Sequence, residues 1–296
     1  MTQTDVGWDL YRSFLAVMDA GSLSGAARAL GLTQPTLGRQ MAALEQALGL
    51  ALFTRSQSGL LPTEAALALR GHAEAMRDTA AALAREAHGF GTEVRGAVRI
   101  AASEVVGIEV LPPILARLRR AHPQLELELV LSSRLQDLVR READIAVRMT
   151  APQQDVLMAS RIGDVPVGLV AHQDYLQRRG VPKNAIDLAQ HDLIGFDQET
   201  AYIRAASSRF AVWRRDRFAL RCDSDLAQLA LIRAGAGIGI CQLPLARRDP
   251  HLVQVLPRAV NLQLATWVAM HADLRNSPRC RVVFDALAQG LRAYVA

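Results

Sequence analysis

Apolar residues recur at three- and four-residue intervals through the first fifty positions, in three bursts punctuated by glycine. Leu10, Phe14 and Val17 share one face of a helix expected over Trp8 to Ala20, with Gly21 as its stop. Ser22 then offers a hydroxyl as N-cap to a second helix, whose small apolar face is Ala26, Ala27 and Leu30. Gly31 ends it by permitting a left-handed C-cap. Thr33 is the next N-cap, and Pro35 stands in the first turn, where its missing N–H costs nothing. This third helix runs to Leu48 and stops at Gly49. Leu37, Met41, Leu44 and Leu48 form its apolar back. Pro35, Thr36, Arg39, Ala43 and Gln46 form its front, with Gln34 at the tip and Gln40 on the flank.

Two helices joined by a tight turn, the second with a donor-and-acceptor front, suit a helix laid in the major groove. There Arg bonds guanine edges and Gln bonds adenine edges. An ordinary helical hairpin with a solvated polar face fits the same pattern. Leu52-Phe53-Thr54 and Leu60-Leu61 can pair around Ser56-Gln57-Ser58-Gly59 as a small wing, with Arg55 at its edge, set for a phosphate or simply exposed.

From Thr63 to about Ala87 the pattern changes to one long helix. Ala66, Leu69, Ala73, Met76, Ala80, Leu83 and Ala87 repeat at three and four, which is a heptad seam. The stripe is narrow for a core helix and predicts dimerisation through Leu69, Met76 and Leu83; the other reading is a linker helix lying on its own neighbouring domain. His88 to Gly96, with three glycines, reads as a hinge.

Beyond the hinge, short apolar runs alternate with helical periods. Strands are expected at Ala97–Ala102, Leu125–Leu131, Ile145–Val147, Val165–Ala171, Leu193–Phe196, Phe218–Cys222, Gly237–Cys241 and Ala265–Met270. Helices are expected at Val110–Ala121, Leu135–Arg141, Leu226–Ala234 and Arg279–Tyr294. Strand and helix in alternation imply an α/β domain with a parallel sheet and right-handed crossovers. Ligands in such sheets sit beyond the carboxyl ends of strands. Three such ends carry Ser103, the pair Ser132 and Ser133, and Arg148; Phe196 ends a strand further on and offers an apolar wall. Two hydroxyl-bearing loops and an arginine suit a carboxylate-bearing metabolite. Ser103 serves equally as a helix N-cap, and Arg148 equally as the partner of a nearby acid. Asp223 and Asp225 read as a cluster favoured by a helix dipole.

The chain resembles the LysR-type transcriptional regulators over nearly its whole length. In the N-terminal part the resemblance rests on Ser22-Leu23-Ser24-Gly25-Ala26-Ala27, Leu32-Thr33-Gln34-Pro35-Thr36-Leu37-Gly38-Arg39-Gln40, Leu44-Glu45-Gln46-Ala47-Leu48-Gly49, Leu52-Phe53-Thr54-Arg55 and Leu61-Pro62-Thr63-Glu64-Ala65. Further on it rests on Ala143-Asp144-Ile145-Ala146-Val147, the run Ile232 to Ile240, and Leu256-Pro257. One departure is Gly38, where the family usually has Ser.

The resemblance implies a winged helix-turn-helix domain over 1–62, a dimerisation helix over 63–88, and a two-lobed effector domain over 92–296 like a periplasmic binding protein. Lobe I would be about 92–163 plus 267–296, and lobe II about 164–266. DNA contacts are expected from Ser22, Thr33, Gln34, Pro35, Thr36, Arg39, Gln40 and Arg55, and effector contacts from Ser103, Ser132, Ser133, Arg148 and Phe196. The partners implied are double-stranded operator DNA, a small-molecule effector such as an anionic metabolite, a second copy of the chain, a tetramer of such dimers, and RNA polymerase if the protein activates.

Composition narrows the classes. With 296 residues there is length for two or more domains. The net charge of +5 comes from arginine, since Lys183 is the one lysine. Residues 1–62 balance: Arg12, Arg28, Arg39 and Arg55 against Asp5, Asp9, Asp19 and Glu45. DNA affinity must then come from local placement, which argues against a non-specific basic architectural protein. The Arg117–Arg120 and Arg214–Arg217 clusters read as solvated faces. Cys222, Cys241 and Cys280 are widely spaced, so no disulfide framework or zinc site is expected, and free thiols are usually buried. The seven histidines show no metal spacing, no Gly-x-Ser-x-Gly elbow is present, and the glycines of 235–239 lack the dinucleotide fingerprint. Neither an enzyme, a metal nor a cofactor is expected. No leader or membrane-length apolar run appears, so a cytoplasmic protein is expected. The competing class is a small-molecule binding module whose helical N-terminus serves only assembly.

Overall fold

The computed structural model describes residues 6–56, 59–87, 93–131, 138, 142–152, 156–198, 213–260 and 262–296. Ser132, Ser133, most of the hinge and, Leu138 apart, the helix expected at 135–141 lie outside them. The chain divides into two compact units, one spanning Met1–Ala87 and the other most of His88–Ala296.

The first unit opens with α1 (Trp8–Ala20), α2 (Leu23–Leu30) and α3 (Gln34–Leu48), each bounded as its capping residues dictate. Ser22 Oγ accepts the Gly25 amide at 3.2 Å, and Thr33 Oγ1 accepts the Thr36 amide at 3.3 Å. Gly31 turns the chain between α2 and α3 with φ of 66°, a region that disfavours a Cβ. Phe14, Val17, Ala26, Leu37 and Leu44 are buried together. Two alanines on α2 let α1 and α3 pack closely around it. β1 (Phe53–Ser56) and β2 (Gly59–Pro62) form the expected wing, antiparallel with Arg55 opposite Leu60. Glu45 Oε1 accepts the Leu52 and Phe53 amides at 2.7 and 3.3 Å, and the Leu60 amide donates to the Gly21 carbonyl at 3.0 Å. The wing is thereby fixed at both ends to the helical part.

Thr63 caps α4 (Glu64–Ala87) by accepting the Ala66 amide at 3.2 Å. The heptad stripe divides along this helix. Ala66, Leu69 and Ala73 pack into the core of their own unit, whereas Met76 and Leu83 stand exposed, Leu83 at 70%. Arg70 adds an ion pair to Asp19 on α1 at 3.1 Å.

The second unit carries β3 (Gly96–Ala102), α5 (Leu111–Ala121), β4 (Leu125–Leu131), β5 (Ile145–Arg148), β6 (Leu157–His172), α6 (Gln173–Arg179) and β7 (Leu193–Gly195). It continues with β8 (Phe218–Arg221), α7 (Asp225–Arg233), β9 (Ile238–Gln242), α8 (Leu243–Ala246), β10 (Leu252–Val255), β11 (Leu262–His271) and α9 (Pro278–Val295). The strands run in the order β4-β3-β5-β11-β6-β9-β7-β8, and β10 pairs with β6 where β11 leaves it. The parallel sheet expected from the alternation holds for β4-β3-β5 and for β8-β7-β9. It fails in the middle, where β11 is antiparallel to β5 and β6, and β6 is antiparallel to β9. β11 is thus inserted between β5 and β6, which run parallel to one another on either side of it.

β6 begins at Leu157, eight residues before the expected start. Gly163-Asp164 looks like a turn in the sequence, yet Gly163 lies inside the strand at φ of 154°, beside a bulge. Thr266 faces Gly163 while Trp267 faces Arg161, so Ile162 is the extra residue. A Cβ on Gly163 would stand 2.7 Å from the Val295 side chain. The helix after β3 starts early as well, at Glu104, and passes through a π-turn at Val106–Val110 before α5. Pro113 has no N–H for the Glu109 carbonyl, and Arg248 Nη1 donates to that oxygen instead at 3.1 Å.

Candidate functional site

The front of α3 is open to solvent. Gln34, Pro35, Arg39, Ala43 and Gln46 are exposed and Thr36 is half-buried, while Leu37 and Leu44 behind them are fully buried. Arg39 and Arg55 make no ion pair among the described residues. Two of the four acids that balance residues 1–62 are occupied elsewhere: Asp19 by Arg70, and Glu45 by the wing amides. Four expected contact residues have partners within the protein. Ser22 and Thr33 cap helices, the Thr33 and Thr36 hydroxyls lie 2.8 Å apart, and Gln40 Oε1 accepts from the buried Ser13 hydroxyl at 2.7 Å. Gln40 therefore fixes α3 against α1 with its oxygen.

In the second unit the carboxyl ends of β3 and β5 lie side by side, because Ala101 pairs with Ala146 in parallel. Extending that register by two residues brings Ser103 beside Arg148. The connections from β3 and from β4 place their strands on opposite sides of β3, which is the crevice-forming arrangement of open α/β sheets. Asp144 holds the pair together, its Oδ2 accepting the Arg99 amide at 2.8 Å. Ser103 passes its carbonyl to the Gly107 amide at 2.8 Å, and its hydroxyl caps nothing among the described residues. Among the described residues Arg148 has no acid partner. Its Nη1 donates to the Val147 carbonyl at 3.1 Å, and its buried Nη2 meets no acceptor among them. Burial lowers the pKa of this guanidinium from its ordinary value.

Phe196, half-buried just past β7, is separated from β5 by three strands of the sheet. Two clasps nevertheless join its loop to the end of β3. Asp223 Oδ1 accepts the Asp197 and Gln198 amides, both at 2.9 Å, and the neighbouring Ser224 hydroxyl donates to Glu104 Oε2 at 2.7 Å. Ser224 is also the N-cap of α7. Asp223 and Asp225 flank the N-cap of α7, where the dipole reading puts them. Asp223 serves in addition as a loop clasp, and Asp225, in the first turn of α7, has its pKa raised by desolvation and then by the Glu104 charge. A second bridge follows: Arg233 meets Glu109 bidentately at 2.6 and 2.9 Å. Its hydrogen bond holds the Glu109 carboxyl below the usual range against an opposing burial effect.

Cys241 and Cys280 are buried, and burial pushes the Cys241 thiol up to about 12, far from thiolate reactivity. No group of His, Cys, Asp and Glu that could hold a metal ion occurs among the described residues. None of their helices is long and apolar enough to cross a membrane. The residue that sequence reasoning missed is Trp267. It pairs with Arg148 across β11 and β5, and its indole Nε1 is also buried without a partner. Only the register of β11 reveals that neighbourhood.

Comparison with known proteins agrees with both halves. Residues 8–67 match the model of the bacterial regulatory helix-turn-helix protein, lysR family, and residues 91–292 match the LysR substrate binding domain. The HTH-type transcriptional regulator PgrR of Escherichia coli strain K12 is 27% identical over 260 residues, covering 83% of this chain and 85% of its own. Among solved structures, CrgA of Neisseria meningitidis, a LysR-type transcriptional regulator, superposes with a TM-score of 0.59 at 23% identity, covering 96% of this chain and 98% of the other. Full-length CbnR complexed with its target DNA gives 0.67 at 19% identity, covering 96% and 99%.

Proposed function

The chain belongs to the LysR family of transcriptional regulators, and on that premise we propose how its residues divide the work. It is a DNA-binding regulator with an effector-binding domain, and it is not an enzyme. In this reading residues 1–62 bind operator DNA, 63–88 dimerise, and 92–296 hold the effector in two lobes that change over at the bulge between Gly163 and Trp267. α3 enters the major groove and reads bases through Arg39, with Gln34, Pro35 and Thr36 at its leading end. Ser22, Thr33, Gln40 and Arg55 set the helix and the wing against the phosphates. Met76 and Leu83 cover the partner's α4, and such dimers pair into tetramers. The protein works in the cytoplasm, and contacts RNA polymerase if it activates.

The observation that carries this reading is the division of α3: a buried apolar back and a front whose arginine has no partner among the described residues. The effector is an anion anchored by Arg148 between Ser103 and the loops that bear Ser132, Ser133 and Phe196. It alters DNA binding through unequal affinity for two arrangements of the lobes. A footprint of purified protein on the DNA upstream of its own gene, with competitor DNA present, tests the reading. An interrupted palindrome protected over several helical turns is expected. Uniform weak protection lost at modest salt would instead mean that α3 does not read bases there.

A further inference from the structure

Among the described residues three buried side-chain polar atoms lack a hydrogen-bond partner: Arg148 Nη2, Trp267 Nε1 and Ser277 Oγ. Two of the three are cross-strand neighbours, since Trp267 and Arg148 face each other in the antiparallel pairing of β11 with β5. Directly opposed residues project to the same face of a sheet, close enough to interact. That face is set by the row beneath. Ala101, Ala146 and Ala269 pack together on it, each two residues from Ser103, Arg148 and Trp267 respectively. Alternation along a strand therefore places hydroxyl, guanidinium and indole in one row at the carboxyl edge of β3 and β5, above a floor of methyl groups.

We propose that Trp267 is the second donor of the effector seat, its indole N–H and the Arg148 guanidinium together taking the two oxygens of a single carboxylate. The proposal rests on the reading of Arg148 as effector anchor and adds the class of ligand. Indole and guanidinium are donors only, so the group between them must accept. One fixed positive charge beside one neutral donor suits a monoanion. Among the described residues a doubly charged phosphate would meet one cation here, and Glu104 and Asp225 stand at the neighbouring strand end. A buried donor without a partner costs free energy, and two such costs at one register position mark a place built to be completed by a ligand.

The full chain is titrated with sodium formate, acetate and benzoate against sodium chloride at equal ionic strength, following melting temperature and tryptophan emission. Saturable stabilisation of the wild type by at least one carboxylate is expected, with an emission change that Trp267→Phe abolishes. Trp267→Phe weakens that carboxylate about tenfold, the worth of one hydrogen bond. It does so without lowering the melting temperature of the unliganded protein, because the N–H it removes has no partner. Arg148→Gln abolishes the response. Wild-type affinity in Trp267→Phe, with loss in Arg148→Gln, overturns the role of Trp267 and leaves Arg148 as anchor. Undiminished binding in Arg148→Gln, or no carboxylate response in the wild type, overturns the anchor and the seat together.

Discussion

At the scale of single residues, the capping side chains were the most legible. Ser22 and Thr33 act on amides three residues away, so local sequence contains the whole interaction. Arg148 could be placed at a strand end from the chain alone, but its missing acceptor could not, and Trp267 became visible only through its register with β5. Gly38 illustrates a residue whose cost is local too. It lies inside α3, and a Cβ there would meet only Leu23 Cδ1 at 3.9 Å. Gly38→Ala is therefore expected to stabilise the protein by about 1 kcal/mol, the helix-propensity difference, as read by urea denaturation. A loss of stability would mean that α3 needs the glycine's backbone freedom.

At the scale of elements, periodicity identified α1 to α4 and β4 with near-exact bounds but could not say which neighbour takes each face. The heptad stripe of α4 is the clearest case, because the same spacing serves an intramolecular core at Ala66 and Ala73 and leaves Leu83 bare. The early start of β6 at Leu157 is not legible locally, because the bulge at Ile162 and the place of Gly163 in the strand depend on pairing with β11. The bridges at the ends of β3 and α7 involve contacts more than a hundred residues apart, beyond any local pattern. Glu109, in one bridge, and Asp225, beside the other, have opposite pH signatures. Glu109 has a depressed folded pKa, so its contribution is complete above the ordinary carboxyl value of about 4 and disappears as pH falls through the depressed one. Asp225 has a raised folded pKa, so its contribution is complete below the ordinary value and disappears as pH rises through the raised one. Denaturation across the acid range should show Glu109→Gln with a flatter fall in stability towards low pH. Asp225→Asn should lose less than the wild type as the pH rises from acid. The reverse assignment of slopes would show that the two carboxyls have exchanged roles.

At the scale of the whole molecule, a nearly neutral DNA-binding unit gains affinity by where its charges lie and by presenting two copies at once. Arg39 and Arg55 are unpaired, whereas the balancing Asp19 and Glu45 are engaged within the unit. A single reading helix of this charge would bind weakly, and in the proposed dimer two held by α4 would engage half-sites related by symmetry. Leu83→Glu puts a charge into the exposed part of the stripe. It is expected to give monomers by light scattering and to abolish operator binding while leaving the circular dichroism of the helices unchanged. Persisting dimers would show that α4 packs through a different face.

The most direct test of the account is the discrimination between operator and scrambled duplex by fluorescence anisotropy at matched salt, for the wild type and for Arg39→Ala. The account predicts that the wild type prefers the operator, and that Arg39→Ala weakens operator binding by about 1–3 kcal/mol while scarcely changing the scrambled duplex, the signature of a bidentate base contact. Equal loss on both duplexes, with a shallower salt dependence, would contradict it, because Arg39 would then hold a phosphate and the bases would be read elsewhere.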